Sequence, residues 1–219
     1  MKNNFEVTQN ESGFVGNFYN KYESKNIIEK YIISNYFKTI LKLCEKNSIN
    51  NFIDIGCGEG KWLNEFSKKG FTCIGTDHSD EVIDLAKKNS LTKDLNIFKS
   101  NIYDKNFTSI INKKINETGI KNLFFLEVLE HLNNPSNIID KLFKIDFNNM
   151  IITVPNEPLW RILNCCRLKY LKDFGNTPGH INHFSSNKLK VLLSKNFKIL
   201  DIKLPVPFLI FLIKKLLIF

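Results

Sequence analysis

The fold is decided by one stretch of the sequence, Phe52-Ile53-Asp54-Ile55-Gly56-Cys57-Gly58-Glu59-Gly60, in which a short apolar run meets three glycines spaced by single residues. The apolar run predicts a buried strand, and a helical pattern follows the glycines. Glycines at such a junction let the chain turn sharply and bring bare backbone close to a ligand. The stretch therefore predicts a ligand-binding loop between a strand and a helix.

The alternation of strand and helix continues outward from this loop. The predicted strands are 51–55, 71–76, 95–100, 121–126, 149–154 and 197–203. The predicted helices are 25–47, 60–69, 79–89, 105–116, 136–145 and 186–195. Crossover helices between successive strands are typical of a mostly parallel sheet that is covered on both faces. The fold class predicted is a doubly wound α/β sheet, seven-stranded if the C-terminal apolar segment adds a strand.

The length and charge of the chain limit the classes of partner. At 219 residues, a single domain with one core is expected. The net charge of +9, from 31 Lys and Arg against 22 Asp and Glu, favours anionic partners such as nucleic acid, an acidic membrane surface or a phosphorylated substrate, with a simple solvated surface as the alternative for dispersed charge. The basic residues are dispersed and form no basic–aromatic stripe, so nucleic acid is not the expected partner.

The cysteines and the termini indicate where the protein works. Five cysteines, without a two-residue spacing, fit neither a disulfide framework nor a zinc site. Free thiols in a reducing cytoplasm are expected, and the N-terminus has no apolar stretch of signal-peptide type. We divide the chain into an arm and cap helix (1–48), a catalytic domain (49–204) with a lid (155–184), and an apolar tail (205–219).

The tail has two interpretations. Residues 208–213 are apolar, Lys214 and Lys215 follow, and the run is too short to cross a bilayer, which needs about 20 apolar residues. One interpretation is a seventh, antiparallel strand. The other is a short membrane-surface helix with both lysines on anionic headgroups, which would suit a lipid-linked acceptor.

The charges beside the glycines indicate the kind of ligand. Lys61 stands where the dinucleotide fingerprint has its third glycine, and Asp54 and Glu59 would repel a pyrophosphate. Carboxylates suit instead a ligand with a sulfonium and an α-ammonium group. Asp77 ends the next predicted strand, where a carboxylate can accept both ribose hydroxyls. These charges favour S-adenosylmethionine over a nicotinamide cofactor.

The pattern Asp54-x-Gly56-x-Gly58-x-Gly60, with Asp77 after the next strand, resembles class I S-adenosylmethionine-dependent methyltransferases. The resemblance implies that the glycine loop holds the methionine end, Asp77 the ribose, and Asn101-Ile102 the adenine, although many relatives have Asp at position 101. The cofactor-binding residues that it implies are Asp54, Gly56, Cys57, Gly58, Gly60, Asp77, His78, Asn101, Ile102 and Glu127.

The acceptor side is predicted at Glu127-x-x-Glu130-His131, after the strand 121–126. This turn resembles those of ubiquinone-pathway O-methyltransferases and small-RNA 2′-O-methyltransferases, in which two acids and two histidines can hold a divalent metal. The resemblance implies a site for Mg²⁺, Mn²⁺ or Zn²⁺ made by Glu127, Glu130, His131 and His180. Two alternatives stay open: a structural turn in which His131 bonds a backbone carbonyl, and a metal-free general base. The candidate catalytic residues are His131, Glu127 and His183.

The substrate-binding candidates come from the lid and the arm. A loop as long as 155–184 at the strand ends is often a substrate lid. The arm around Tyr22 resembles an element that closes over the cofactor in some bacterial relatives. The candidates are Tyr22, Trp160, Arg161 and His180, each with simple packing as its alternative.

The function expected is methyl transfer from S-adenosylmethionine to a hydroxyl oxygen of a small molecule, sugar or lipid-linked intermediate. One alternative is an RNA 2′-O-methyltransferase. The other is a non-catalytic S-adenosylmethionine-binding subunit, which would have no need of the polar acceptor-side residues present here.

Overall fold

A computed structural model of the chain describes residues 26–90 and 95–216. Its sheet has seven strands in the order β3-β2-β1-β4-β5-β7-β6, and β7 runs opposite to the other six. The strands are β1 (Asn51–Ile55), β2 (Thr72–Asp77), β3 (Asn96–Lys99), β4 (Asn122–Leu126), β5 (Asn149–Pro155), β6 (Phe197–Lys203) and β7 (Phe208–Lys215). The predicted fold class is confirmed.

The helices alternate with the parallel strands. They are α1 (Ile27–Lys46), α2 (Lys61–Ser67), α3 (Asp80–Lys88), α4 (Phe107–Thr118), α5 (Pro135–Phe143), α6 (Leu159–Cys166) and α7 (Ser186–Leu193). Single turns of 3₁₀ helix lie at Leu129–His131 and Leu171–Asp173. The helices are close to predicted elements except α6, which lies in the lid segment that the sequence analysis treats as a loop, as does the turn Leu171–Asp173. The turn Leu129–His131 lies in the predicted acceptor-side turn.

The core lies on both faces of the sheet. Apolar residues of α1, α2 and α3 pack on one face, and those of α4, α5 and α7 pack on the other. Near the centre of the first face, the rings of Phe52 (β1) and Phe124 (β4) stack with centroids 3.8 Å apart. Strands buried on both faces explain the continuous apolar runs from which they were predicted.

The strand order reverses between β1 and β4, and ligands bind at such a switch point, outside the carboxyl ends of the strands. The glycine loop follows β1 and the Glu127–His131 turn follows β4, so both lie at this crevice. Gly56 has φ +78°, and a Cβ there would lie 2.7 Å from the Val128 side chain. Both the backbone conformation and the close approach of the two loops therefore require glycine.

The predictions for the two ends of the chain have different outcomes. Phe208–Lys215 forms β7 between β5 and β6, with residues 208–213 at most 2% exposed. Of the two interpretations of this segment, the structure has the strand. Within 26–90 and 95–216, no helix is both long and apolar enough to cross a membrane. The arm that carries Tyr22 lies outside the described residues.

Candidate active site

Two neighbouring cavities occupy the crevice. The smaller, of about 160 Å³, is lined by residues that include Asp77, His78, Ser100, Asn101 and Ile102. The larger, of about 450 Å³, is lined by residues that include Asp54, Cys57, Trp62, Trp160 and His180. Both are lined by Gly56, Gly58, Glu59, Glu127 and His131. The cavities therefore meet between the glycine loop and the turn after β4.

Asp77 joins the end of β2 to the glycine loop. One carboxylate oxygen accepts the backbone N–H of Gly58 at 3.0 Å, and the other accepts those of His78 at 2.8 Å and Ser79 at 3.2 Å. Burial alone would raise the pKa of Asp77, but the His78 side chain and these backbone donors outweigh it and hold the pKa below its ordinary value. The smaller cavity thus presents a fixed anion, which suits ribose hydroxyls.

The pKa of Asp54 is shifted in the opposite direction, upward. Burial raises the pKa of its carboxyl to about 8, and the nearby charge of Asp77 adds to the increase. Asp54 is therefore mostly neutral at pH 7 in the free protein. A cation placed beside it would favour the ionised form.

Several buried polar atoms around the crevice lack a hydrogen-bond partner among the described residues. They include Asp54 Oδ1 on the larger cavity, and Ser100 Oγ and His78 Nε2 on the smaller. A buried polar group left in this state costs about 1–3 kcal/mol. The crevice therefore suits a ligand that is polar along its whole length, such as a nucleoside joined to an amino acid.

Comparison with known proteins decides the family. Residues 28–200 match the sequence model of the methyltransferase domain. The chain belongs to this family. With its fold, this makes it a class I S-adenosylmethionine-dependent methyltransferase. No curated protein sequence matches it.

Several solved structures share the fold of the methyltransferase. Magnesium protoporphyrin IX methyltransferase from Synechocystis PCC 6803, with bound SAH (S-adenosylhomocysteine), has a TM-score of 0.61 at 16% identity, covering 88% of this chain and 89% of its own. The methyltransferase domain of bacterial CtHen1 gives 0.59 at 21%, covering 84% and 99%. A protein from Pyrococcus horikoshii OT3 gives 0.63 at 12%, covering 89% and 93%. At these identities the likeness shows the fold alone.

On the acceptor side, Glu127 is held by a buried hydrogen-bond chain. Its carboxylate oxygen accepts from the Thr153 hydroxyl at 3.1 Å, so the Tyr36 hydroxyl, 2.8 Å from Thr153 Oγ1, must be the donor there. The Glu127 N–H also donates to Thr153 Oγ1 at 3.1 Å. These hydrogen bonds connect the turn after β4 to β5 and α1. They also stabilise the φ of +57° at Glu127, a value that is unusual outside glycine.

The tautomer of His131 follows from one hydrogen bond. Its Nδ1 lies 2.9 Å from the Gly179 carbonyl oxygen, which can only accept, so Nδ1 carries the proton. The lone pair of the neutral ring is then on Nε2. The carbonyl contact of the structural-turn alternative is thus present, and it leaves Nε2 in the correct state to act as a base or a ligand.

The fold brings together three of the four residues that the family resemblance implies as metal ligands. Ligand atoms of Glu130, His131 and His180 all lie within 4.8 Å of one another, whereas Glu127 stands outside this group and binds Thr153. One carboxylate and two imidazoles suit Zn²⁺ or Mn²⁺, and a backbone carbonyl on the far nitrogen is usual for metal-binding histidines. The donor set therefore fits a divalent cation through three residues.

Two of the expected site residues are placed elsewhere. His183, proposed as a general base, lines neither cavity, and its Nε2 lies 2.9 Å from the Asn176 side-chain oxygen. Arg161, proposed to bind substrate, also lines neither, and its Nε donates to the Phe174 carbonyl at 3.0 Å. Both side chains hold the lid in shape. Sequence reasoning placed them in the site because it could assign them to the lid but not to one of its faces.

The remaining candidates have clear positions. Trp160 lines the larger cavity, and its indole N–H donates to Thr177 at 2.9 Å. Gly60 lines neither cavity and begins α2 with φ +72°. Sequence reasoning missed Trp62, whose position next to the glycine loop was an available signal, and Thr153, a lone hydroxyl in the apolar run of β5.

Proposed function

We propose that this methyltransferase methylates a hydroxyl oxygen of an acceptor with an extended apolar body, lipid-linked or aromatic. The observation that carries the proposal is the junction of the two cavities at Glu127 and His131. The nucleoside occupies the smaller cavity beside Asp77, and the methionine portion follows the glycine loop toward Asp54. The transferable methyl group then faces the shared wall, and the acceptor enters from the larger cavity.

The walls of the larger cavity support an apolar acceptor. Its lining includes Leu126, Trp62, Trp160, Leu163 and Phe208. Cavities of about 300–1,000 Å³ with apolar walls and a few convergent polar groups are typical small-molecule sites. Because Glu130, His131 and His180 come together in one group on this wall, the reacting hydroxyl belongs beside them. The apolar body lies along the aromatic walls, a pattern that favours such an acceptor over an unattached sugar.

His131 supplies the proton chemistry. As the oxygen–carbon bond forms and the carbon–sulfur bond breaks, the hydroxyl proton passes to Nε2 of His131, and S-adenosylhomocysteine leaves. The Gly179 carbonyl keeps the ring oriented and stabilises the imidazolium that results. Placing the hydroxyl in line with the sulfonium supplies much of the remaining rate.

Calorimetric titration with SAH and with NADH tests the cofactor part. We expect binding of SAH alone, and its loss in Asp77→Ala, because that variant removes the anion and frees the Gly58 N–H. Binding of NADH in preference to SAH would contradict the assignment.

Label transfer tests the acceptor part. With methyl-labelled S-adenosylmethionine and a lipid extract, we expect label in the organic phase, and none with His131→Gln. Label that enters only water-soluble acceptors would refute the apolar acceptor. Full turnover by His131→Gln would refute the role of His131 as the general base.

The grouping of Glu130, His131 and His180 favours a second candidate, metal-assisted transfer to a hydroxyl such as an RNA 2′-oxygen. A cation held there would lower the hydroxyl pKa. Titration with Mn²⁺ alone should then show one site that His180→Ala abolishes, and RNA affinity should fall steeply with salt. Absence of both Mn²⁺ and low-salt RNA binding would eliminate this candidate.

A further inference from the structure

The lid exposes large apolar side chains. Leu168 and Phe174 are each 78% exposed, and Leu171 is 53% exposed. They belong to one short segment, residues 167–174, which we call the lid tip. Exposed apolar clusters of this kind mark interaction sites.

The lid tip has a fixed conformation. Leu168, Tyr170 and Phe174 adopt φ values of +56°, +55° and +50°, which cost about 1 kcal/mol or more for residues other than glycine. The segment is closed where the Asn164 side chain donates to the Gly175 carbonyl at 2.9 Å. The Gly175 N–H also donates to the Tyr170 carbonyl at 2.9 Å. The outward position of the apolar side chains is therefore set by the fold.

The charge around the lid tip is positive. Residues 161–174 contain four cations and one acid, which are Arg161, Arg167, Lys169, Lys172 and Asp173, and with the adjoining Glu29 the local net charge is +2 (four positive against two negative). Glu29 in the first turn of α1 accepts from Arg167 and Lys169 at 3.0 Å each, so this turn adjoins the lid tip. That turn adds two more exposed apolar residues, Ile27 at 82% and Ile28 at 65%.

We propose that the lid tip docks on an anionic lipid surface. Its apolar side chains enter the headgroup region, and the exposed Lys172, with the net positive charge around it, attracts the anionic headgroups. Lipid suits this face because exposed apolar side chains beside an excess of positive charge need no shaped groove on the other side. Lys169 and Tyr170 also line the larger cavity, so docking brings the mouth of that cavity to the lipid. This last step rests on the proposed function, whereas docking itself does not.

Co-sedimentation of the full chain with vesicles tests the proposal. Vesicles of phosphatidylcholine alone are compared with vesicles of phosphatidylcholine and phosphatidylglycerol. We expect binding to the mixed vesicles only. The double variant Leu168→Asn, Phe174→Asn should bind about a hundredfold more weakly, roughly tenfold per side chain withdrawn from the lipid. Asparagine is chosen because it tolerates positive φ.

Two controls separate docking from folding and from catalysis. Val191→Asn removes an apolar residue that is 66% exposed on α7, and it should bind vesicles as the wild type does. Every variant should bind SAH as the wild type does. If the wild type itself bound no SAH, the proposed function would be overturned, whereas the docking proposal would stand. Lys172→Gln offers a milder variant, expected to weaken binding a fewfold. The proposal would be overturned if the wild type did not bind the anionic vesicles. It would also be overturned if the lid-tip double variant bound them as tightly as the wild type does.

Discussion

With the α-ammonium group of SAH beside Asp54, as proposed, the affinity for SAH should increase with pH up to about 8, because binding would then release a proton from that carboxyl. Burial raises the pKa of this carboxyl to about 8 in the free protein. An α-ammonium group beside it favours the carboxylate, so the proton must leave before the ion pair forms. Relative to the plateau above pH 8, affinity should be about tenfold weaker at pH 7 and about a hundredfold weaker at pH 6.

The measurement is calorimetry at pH 6, 7 and 8 in buffers of different ionisation enthalpy, which counts the protons released. The hydrogen bond to Asp77 raises the pKa of the His78 imidazole above its ordinary value, so this group is a second source of pH dependence. Asp54→Asn separates the two groups, because it leaves His78 unchanged and should remove most of the slope. A wild-type affinity that is flat from pH 6 to 8, or a slope kept in Asp54→Asn, would refute the reasoning.

The same shift has a consequence for stability. The folded-state pKa of Asp54 is raised, so its contribution is fully present below the unfolded pKa and is lost as pH rises toward 8. At pH 7 the buried carboxyl costs up to about 4 kcal/mol relative to a residue that does not titrate. Denaturant unfolding of Asp54→Asn should therefore show a gain over wild type that grows between pH 5 and 8. Equal gains at both pH values would argue against a neutral Asp54.

Three further predictions concern the scaffold of the site. Gly75→Ala should lower the free energy of unfolding by about 1–3 kcal/mol in urea, because its Cβ would lie 2.5 Å from the Leu63 side chain; unchanged stability would mean that the region is loosely packed. Tyr36→Phe should lower the free energy of unfolding by about 1 kcal/mol and should lower kcat more than the SAH affinity, since the buried hydrogen bond to Thr153 positions Glu127. An unchanged kcat would show that these hydrogen bonds do not contribute to catalysis. Phe124→Ala should cost about 3–5 kcal/mol, and a loss under 1 kcal/mol would contradict the fully buried stack.

The sequence was most informative where one local pattern determines both backbone and chemistry. The glycine loop predicted the strand, the turn and the cofactor together, because positive φ and close approach leave glycine as the residue that fits, as at Gly56. Side-chain direction in the lid was not predictable. His183 and Arg161 point into lid contacts, since their orientation depends on α6 and on hydrogen bonds to residues far along the chain. The Tyr36–Thr153 bond spans 117 positions, a separation that no local pattern reveals.

The two aspartates of the crevice explain its preference for a charged amino-acid nucleoside. Asp77 is held ionised by His78 and by backbone N–H groups, whereas Asp54 is kept neutral by burial and by the charge of Asp77. The free protein therefore presents one anion at the ribose end and a latent second one at the methionine end. A dinucleotide would place its pyrophosphate at the glycine loop, beside the carboxyls of Asp54 and Glu59, and would bring no cation to Asp54. In the proposed binding mode, the ribose lies at Asp77 and the α-ammonium group lies near Asp54, where its positive charge would favour the ionised carboxylate.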